Sequence, residues 1–319
     1  MIEIRPFLNT DLPKLADLWC IHHATYRNPP QVSASVFEQA VASRLFFDAS
    51  RLLVAVNQGQ PVAWSQWFAA ENQVASIVAL CFQTDPTAVS AVQKLLAVVE
   101  RDAAIAGMNE LQIGVHFQSS WGYQGLDPIG HGVGIDIADD RTNTLLESLG
   151  YQETKRIDRW EVSTTGYRPP VNRDLLAFRR STIIQRDPAG LLTPHLAAAM
   201  IHLDVERHSL VDTRTRAVLA AVDVWTSDPE AFVMPASEAI LGHWVVPQHA
   251  NQVETDDTAL RYLIANLIPQ LAERRIRSLQ RSVASNNKLE ATTLLATNFS
   301  RTNAGRILTK KLIDNPHAF

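Results

Sequence analysis

The stretch VQKLLAVVERDAAIAGMNELQIGV, residues 92–115, decides the fold, because LRYLIANLIPQLAERRIRSLQRSV, residues 260–283, repeats its pattern. In each, apolar residues recur at helical spacing, and the helix period breaks at Gly107 or Arg275. A short strand-like run follows, Leu111 to Val115 in one copy and Leu279 to Val283 in the other. Leu96 precedes Leu111 by 15 positions, and Ile264 precedes Leu279 by the same 15. Two unrelated amphipathic helices have no reason to share a helix-to-strand distance, so the spacing predicts two duplicated domains. A second match agrees: Thr144 to Tyr151, TLLESLGY, answers to Thr293 to Phe299, TLLATNF.

Working outward, Ile2, Ile4 and Phe7 alternate as a strand does, and Asn9, Thr10 and Asp11 offer caps for a helix through Leu12, Leu15 and Trp19. Ser35 to Arg44 reads as a second helix. Arg51 to Val56 and Pro61 to Trp67 read as a hairpin around Asn57 to Gln60, and Ser76 to Phe82 as a further strand leading into the long helix through Thr84 to Thr87. The expected fold class is α/β (α+β), with two tandem domains, each a mixed, mostly antiparallel sheet flanked by helices. Pro169 and Pro170 stop either kind of element, so the boundary is placed there, with domains at 1–166 and 173–319. Beyond it, Ala177 to Ile183 reads as the opening of a second sheet, Leu191 to Leu203 and Arg216 to Val222 as helices, and Ala231 to Met234 and Ala239 to Val246 as strands, ended by Pro247.

A chain of 319 residues is long enough for two cores of roughly 150 residues each. No apolar run is long enough to span a bilayer, and Met1 to Ile4 carry no basic, apolar leader, so a cytoplasmic protein with no membrane partner is expected. Cys20 and Cys81 are the only cysteines, which excludes a disulfide framework or a cysteine-rich zinc site. A net charge of -4 and short basic clusters at Arg179–Arg180 and Arg274–Arg277 leave no footprint for nucleic acid.

The order of elements resembles the GNAT superfamily of N-acetyltransferases, and within it the tandem type in which two such domains are fused. The residues carrying the likeness are Ile2 to Pro6 with Asp11 and Leu12, the Val54 to Trp64 hairpin with Gly59 at its turn, and Leu146 to Tyr151. In the second half they are Val245, Val246 and Pro247, Ser282 to Asn287, and Leu294 to Phe299. The resemblance implies acetyl-CoA as co-substrate, its pyrophosphate held at the amino end of a helix that follows a splayed strand. Placed on the family's R/Q-x-x-G-x-G/A loop, the first domain offers Thr87, Ser90 and Val92 and the second Thr255, Thr258 and Leu260. Val92 and Leu260 put bulk where the backbone approaches phosphate, so weak or one-domain binding is expected.

In the first domain the implied cofactor contacts are Leu80, Phe82, Ser90 and Ala91; in the second, Val245, Val246, Thr258 and Asn286. Asn286 is either a cofactor-arm ligand or, with Asn287, a helix cap. Acetyl transfer needs a base and an acid, for which His243 in a central strand and Tyr123 in the first-domain insert are the candidates. A core-packing role for His243 stands beside the catalytic one. His22 and His23 point about 100° apart on a helix and do not share a metal. Trp64 and Trp67 face opposite sides of their strand, one toward a substrate cleft and one toward the core. The implied function is N-acetyl transfer from acetyl-CoA to the amine of a small molecule or peptide by a monomer or homodimer, with one domain degenerate. The alternatives are a non-catalytic binding or scaffold protein that has lost the cofactor, and aminoacyl transfer from a carrier.

Overall fold

A computed structural model describes residues 1–26, 31–44, 47–70, 72–116, 122–170, 173–190, 193–231, 233–246 and 257–312. The chain divides into two compact units, Met1–Ile157 together with the chain from Ala304 onward, and Asp158–Asn303. The segment containing Pro169 and Pro170 lies inside the second unit, so the division differs from a single cut there.

Along the first unit run β1 (Ile2–Pro6), α1 (Leu12–His22), α2 (Ala34–Phe37), β2 (Leu52–Asn57), β3 (Gln60–Ala69), β4 (Val74–Phe82), α3 (Pro86–Ile105), β5 (Glu110–Ile113), β6 (Ile135–Asp136), α4 (Asp140–Ser148) and the start of β7 (Gln152–Ser163). The second unit follows with α5 (Arg173–Ser181), β8 (Thr182–Pro188), α6 (Pro194–Ala199), β9 (Leu203–Asp212), β10 (Val218–Ser227), β11 (Glu238–Val245), α7 (Thr258–Glu273), β12 (Ser278–Ala284), α8 (Lys288–Ala296) and the start of β13 (Ser300–Lys311). Within the first unit the strand order is β1-β2-β3-β4-β5, then residues 304–311 of β13, then residues 152–157 of β7. Within the second it is β8-β9-β10-β11-β12, then residues 158–163 of β7, then residues 300–303 of β13. Each unit is thus a mixed, mostly antiparallel sheet flanked by helices, and in each the strand between the fifth and the last comes from a remote part of the chain. No helix among the described residues is long and apolar enough to cross a membrane.

Local chemistry explains the matching parts. The β2–β3 hairpin closes on a two-residue turn, Gln58 at φ 50° and Gly59 at φ 78°, the left-handed pair that suits the strand twist. α3 buries Ala88, Val92, Leu95, Leu96, Val99 and Ala103 against the first sheet, and α7 buries Leu260, Leu263, Ile264, Leu267, Ile268 and Leu271 against the second. Both helices end alike. Gly107 (φ 80°) and Arg275 (φ 66°) are left-handed, and Met108 N donates to Ala103 O at 3.0 Å as Ile276 N does to Leu271 O at 3.1 Å. α4 and α8 repeat the motif at Gly150 (φ 86°) and Asn298 (φ 66°), where Tyr151 N donates to Leu146 O at 3.1 Å and Phe299 N to Leu294 O at 3.0 Å.

An arginine in that conformation stores strain of about 1 kcal/mol that glycine lacks, partly offset by the greater freedom of glycine when unfolded. Arg275→Gly is therefore expected to stabilise the protein by about 0.5 kcal/mol, read as a higher urea midpoint at unchanged slope. A lowered midpoint would show that Arg275 makes a contact outweighing its strain.

Four expectations for the second half are corrected. Ala177 to Ser181 are helical, because Leu175 and Phe178 share a face on which Phe178 packs against Tyr262 at 5.6 Å, and the strand starts only at Thr182. Of the helix expected over Leu191 to Leu203, the described residues 193–203 form helix only at Pro194–Ala199, capped by Thr193 Oγ1 accepting from Leu196 N at 3.1 Å. Arg216 and Ala217 lie before β10 and Val218 to Val222 open it, since Ala220, Val222 and Val224 alternate into the core under α7. The described residues Val233 and Met234 are buried in a bend, outside any strand.

Candidate functional site

In both units one parallel strand pair comes apart. β4 and β5 pair from Val74↔Glu110 to Ile77↔Ile113, after which Val78 to Phe82 stay with β3 alone. β11 and β12 pair from Glu238↔Ser278 to Ile240↔Gln280, and Leu241 to Val245 then leave β12. Backbone groups beyond the last pair need partners from elsewhere. What supplies them differs between the units.

In the first unit the split is filled by the segment after β5. His116 bridges to Val133, and Pro128, Ile129, Gly134 and Ile135 line a cavity together with residues of β4, among them Val78 and Leu80, and with His22 and His23 of the α1 side. That cavity measures about 20 Å³, room for roughly one water molecule, where a pocket for an organic ligand needs about 300 Å³ or more. The start of α3 is also taken. Asp85 caps it, its Oδ1 accepting from Thr87 N at 2.9 Å and Ala88 N at 3.1 Å, and Pro86 brings no N–H of its own. These are the donors and the dipole end that would hold a pyrophosphate, and a carboxylate already occupies them. Leu80 lines the small cavity, Phe82 lies under the Arg141 guanidinium at 4.2 Å, Ser90 is exposed and Ala91 is fully buried. The split of β4 and β5 and the helix start beside it are thus filled by groups of this chain.

On the α1 side of the same sheet lies a packed aromatic cluster. Trp19 stacks on Tyr123 (5.7 Å, 3°) and on Trp64 (6.2 Å, 20°), with Phe37 edge-on to Trp64. Tyr123 is fully buried, its hydroxyl donates to Gln66 Oε1 at 2.5 Å, and burial pushes its pKa well above the ordinary phenol value. A phenol in that state is poorly placed to protonate a leaving group. Trp67 does lie on the other face of β3, in the core under α3. His22 Nδ1 accepts from Arg141 Nη2 at 2.8 Å, which leaves Nε2 as the protonated nitrogen, 3.6 Å from Asp139. Burial lowers the His22 pKa to about 4 and drives that of His23, 3.9 Å from Cys81 Sγ, well below its usual value.

In the second unit the split holds a charge. Arg281 stands at the position of the repeated stretch that Ile113 occupies in the first copy. Its side chain is 2% exposed, Nη1 donates to Leu241 O at 3.1 Å and to Gly242 O, and Nε and Nη2 bind Glu290 Oε2 at 3.0 and 2.7 Å. The guanidinium lies 3.6 Å from the centre of the Trp244 ring. Gly242 has no room for a side chain, since an added Cβ would sit 2.4 Å from Trp225 Nε1. His243 follows it, half-buried on the splayed end of β11, with Nδ1 unbonded among the described residues.

The helix start in this unit is arranged differently. Asp257 precedes α7 but makes no cap bond to its amides, because its carboxylate is held by Arg261 Nε at 2.8 Å and by Thr293 Oγ1. Thr258 is half-buried on the first turn, Val245 is exposed and Val246 half-buried at the end of β11. Asn286 is exposed, and the cap of α8 is Asn287, whose Oδ1 accepts from Glu290 N at 3.2 Å. Thr255, placed on the phosphate loop of the second domain, lies outside the described residues. His243 and Tyr123 belong to different units.

Two groups were legible in principle. Asp85-Pro86 before a helical run is a capping signature, and an arginine between Gln280 and Ser282 in an apolar strand signals a buried, partnered charge. Arg141 and Asp139 gave no such signal, since their partners are far away in sequence.

No family model matches the chain, and no curated protein matches its sequence. Among solved structures the chain is similar to a tandem GNAT protein from the clavulanic acid biosynthesis pathway, without acetyl-CoA, at TM-score 0.69 and 12% identity, covering 99% of this chain and 100% of that one. A GCN5-related N-acetyltransferase from Sphaerobacter thermophilus matches at TM-score 0.64 and 11% identity, over 98% and 96% of the two chains. A putative acetyltransferase from Pyrococcus horikoshii matches at TM-score 0.55 and 11% identity, over 97% and 89%. The fold is that of the GNAT N-acetyltransferases in tandem form.

Proposed function

From the tandem GNAT fold we propose that this chain is an N-acetyltransferase in which the second unit takes acetyl-CoA and the first has lost it. The contrast between the two helix starts carries this reading: Asp85 fills the amide end of α3, whereas the Asp257 carboxylate is drawn off to Arg261 and Thr293. The amino end of α7 with Thr258 holds the phosphates, the ends of β11 at Val245 and Val246 flank the arm, and exposed Asn286 contacts it. The bound thioester supplies the activated acetyl group. His243 takes the proton that the acceptor amine gives up as its nitrogen attacks the thioester carbon, and returns it to the sulfur as the C–S bond breaks, so that CoA leaves as the thiol. Tyr123 has a packing role in the first unit. The acceptor is a small amine or a peptide amine, and the protein works as a monomer or homodimer in the cytoplasm without nucleic acid.

A carboxylate placed beside the phosphates costs about 1 kcal/mol in water and several in a partly buried cleft. Thr258→Asp is expected to weaken acetyl-CoA binding by roughly tenfold or more, at about 1.4 kcal/mol per decade, and Ser90→Asp to leave it unchanged. Calorimetry on the full chain tests this. Equal, negligible losses, or two equivalent sites, would overturn the assignment. The second reading, a binding or scaffold protein without cofactor, is favoured by Arg281 standing in the split of β11 and β12.

A further inference from the structure

Past Ile240↔Gln280 the carbonyls of Leu241 and Gly242 have lost their ladder partners, and the guanidinium of Arg281 takes both. A pantetheine-type arm lying in the same split would present amide N–H groups to those carbonyls, so the side chain and the arm compete for the same acceptors. We infer that Arg281 is an internal plug of the second split, which the arm of the cofactor must displace. The inference rests on the reading that this unit takes acetyl-CoA.

The surroundings let the plug move as well as sit. Its ion-pair partner Glu290 is 23% exposed on the first turn of α8, and the ring beneath it, Trp244, is half-buried. Rotation of the long arginine stem carries the guanidinium toward solvent while the pair with Glu290 persists, and the Trp244 face is freed at the same time. The carbonyls then pass from one donor to another without a period of burial unpaired, which would cost about 1–3 kcal/mol per group. In the first copy the same position is Ile113, which stays in the ladder with Ile77, and there the gap is closed by backbone instead.

Calorimetric titration of the full chain with CoA, and separately with adenosine 3′,5′-bisphosphate, which lacks the arm, tests the plug. Arg281→Met combined with Glu290→Gln removes the guanidinium without stranding a carboxylate. It is expected to tighten CoA binding at least tenfold and to leave the nucleotide fragment unchanged. Arg281→Lys keeps the charge and the Glu290 partner but cannot fork onto two carbonyls, and should give a smaller gain. Unchanged or weaker CoA binding in either folded variant overturns the plug while the functional reading stands. Equal tightening of the fragment also overturns it, because the gain would not come from the arm. No CoA binding by the native chain or by either variant overturns the plug and the reading together.

Discussion

Acidification from pH 7 to pH 4 is expected to remove about 3 kcal/mol of stability through His22 alone, with a contribution of the same sign from His23. Unfolded, the His22 ring binds a proton near 6.5; folded, it does so only near 4, chiefly because it is buried, with Arg141 adding to the effect and Asp139 opposing it. Between those values the unfolded chain holds more protons, so lowering the pH favours it. The stabilisation is complete above pH 6.5 and is lost as the pH falls toward 4, at about 1.4 kcal/mol for each unit of difference. The groups facing the ring are Asp139, Arg141, His23 and the Phe82 backbone. Urea unfolding of the native chain and of His22→Gln at both pH values isolates the effect from the carboxylates that also titrate there. If both proteins lose the same stability, His22 is not excluding a proton.

Trp19→Ala should cost about 3–5 kcal/mol, the largest loss expected from a single truncation here. The indole is fully buried, touches Tyr123, Trp64, Phe37 and His23, and donates from Nε1 to Asp127 O at 3.2 Å. Removing it opens a void between rings that are held by several elements and cannot close together. The cavity should bind added indole, visible as partial recovery of the urea midpoint. A loss under about 1 kcal/mol would mean that the α1 face of the first unit collapses freely, and that this unit is less firmly closed to a ligand than its packing implies.

The duplication was legible because it rests on local rules. The period of α3 and α7, the stops at Gly107, Arg275, Gly150 and Asn298, and the Gln58-Gly59 turn are all set by residues a few positions apart. The misread segments follow the same logic in reverse. Arg216 to Val222 carries enough alanine and leucine to read as a short helix, and only the pairing of Val218 to Val222 with β9 and β11 makes that part a strand. Of the candidate site residues, His243 lies on the second unit's split strand, Thr258 on its long helix and Asn286 in the turn before α8. What fills each split was not legible. The hold of Arg281 on Leu241 and Gly242, and of Arg141 on His22, spans tens of residues or more, and nothing in the local pattern records it.

The last strand matters for the order in which the molecule can be made. Residues 308–311 pair with β5, Leu308↔Ile113 through Lys311↔Glu110, and Lys310 Nζ reaches Glu100 at 2.8 Å, all within the first unit. During synthesis the first unit therefore waits with the edge of β5 uncovered until residue 311 leaves the ribosome, although most of its sequence emerged long before. The second unit, by contrast, receives residues 158–163 of β7 before any of its own later strands exist. A gene cut after residue 166 would leave each fragment short of a strand, the first without residues 304–311 of β13 and the second without residues 158–163 of β7, and each prone to recruit a substitute from a neighbouring chain. The two halves repeat one pattern, yet as nascent chains they are obliged to finish together.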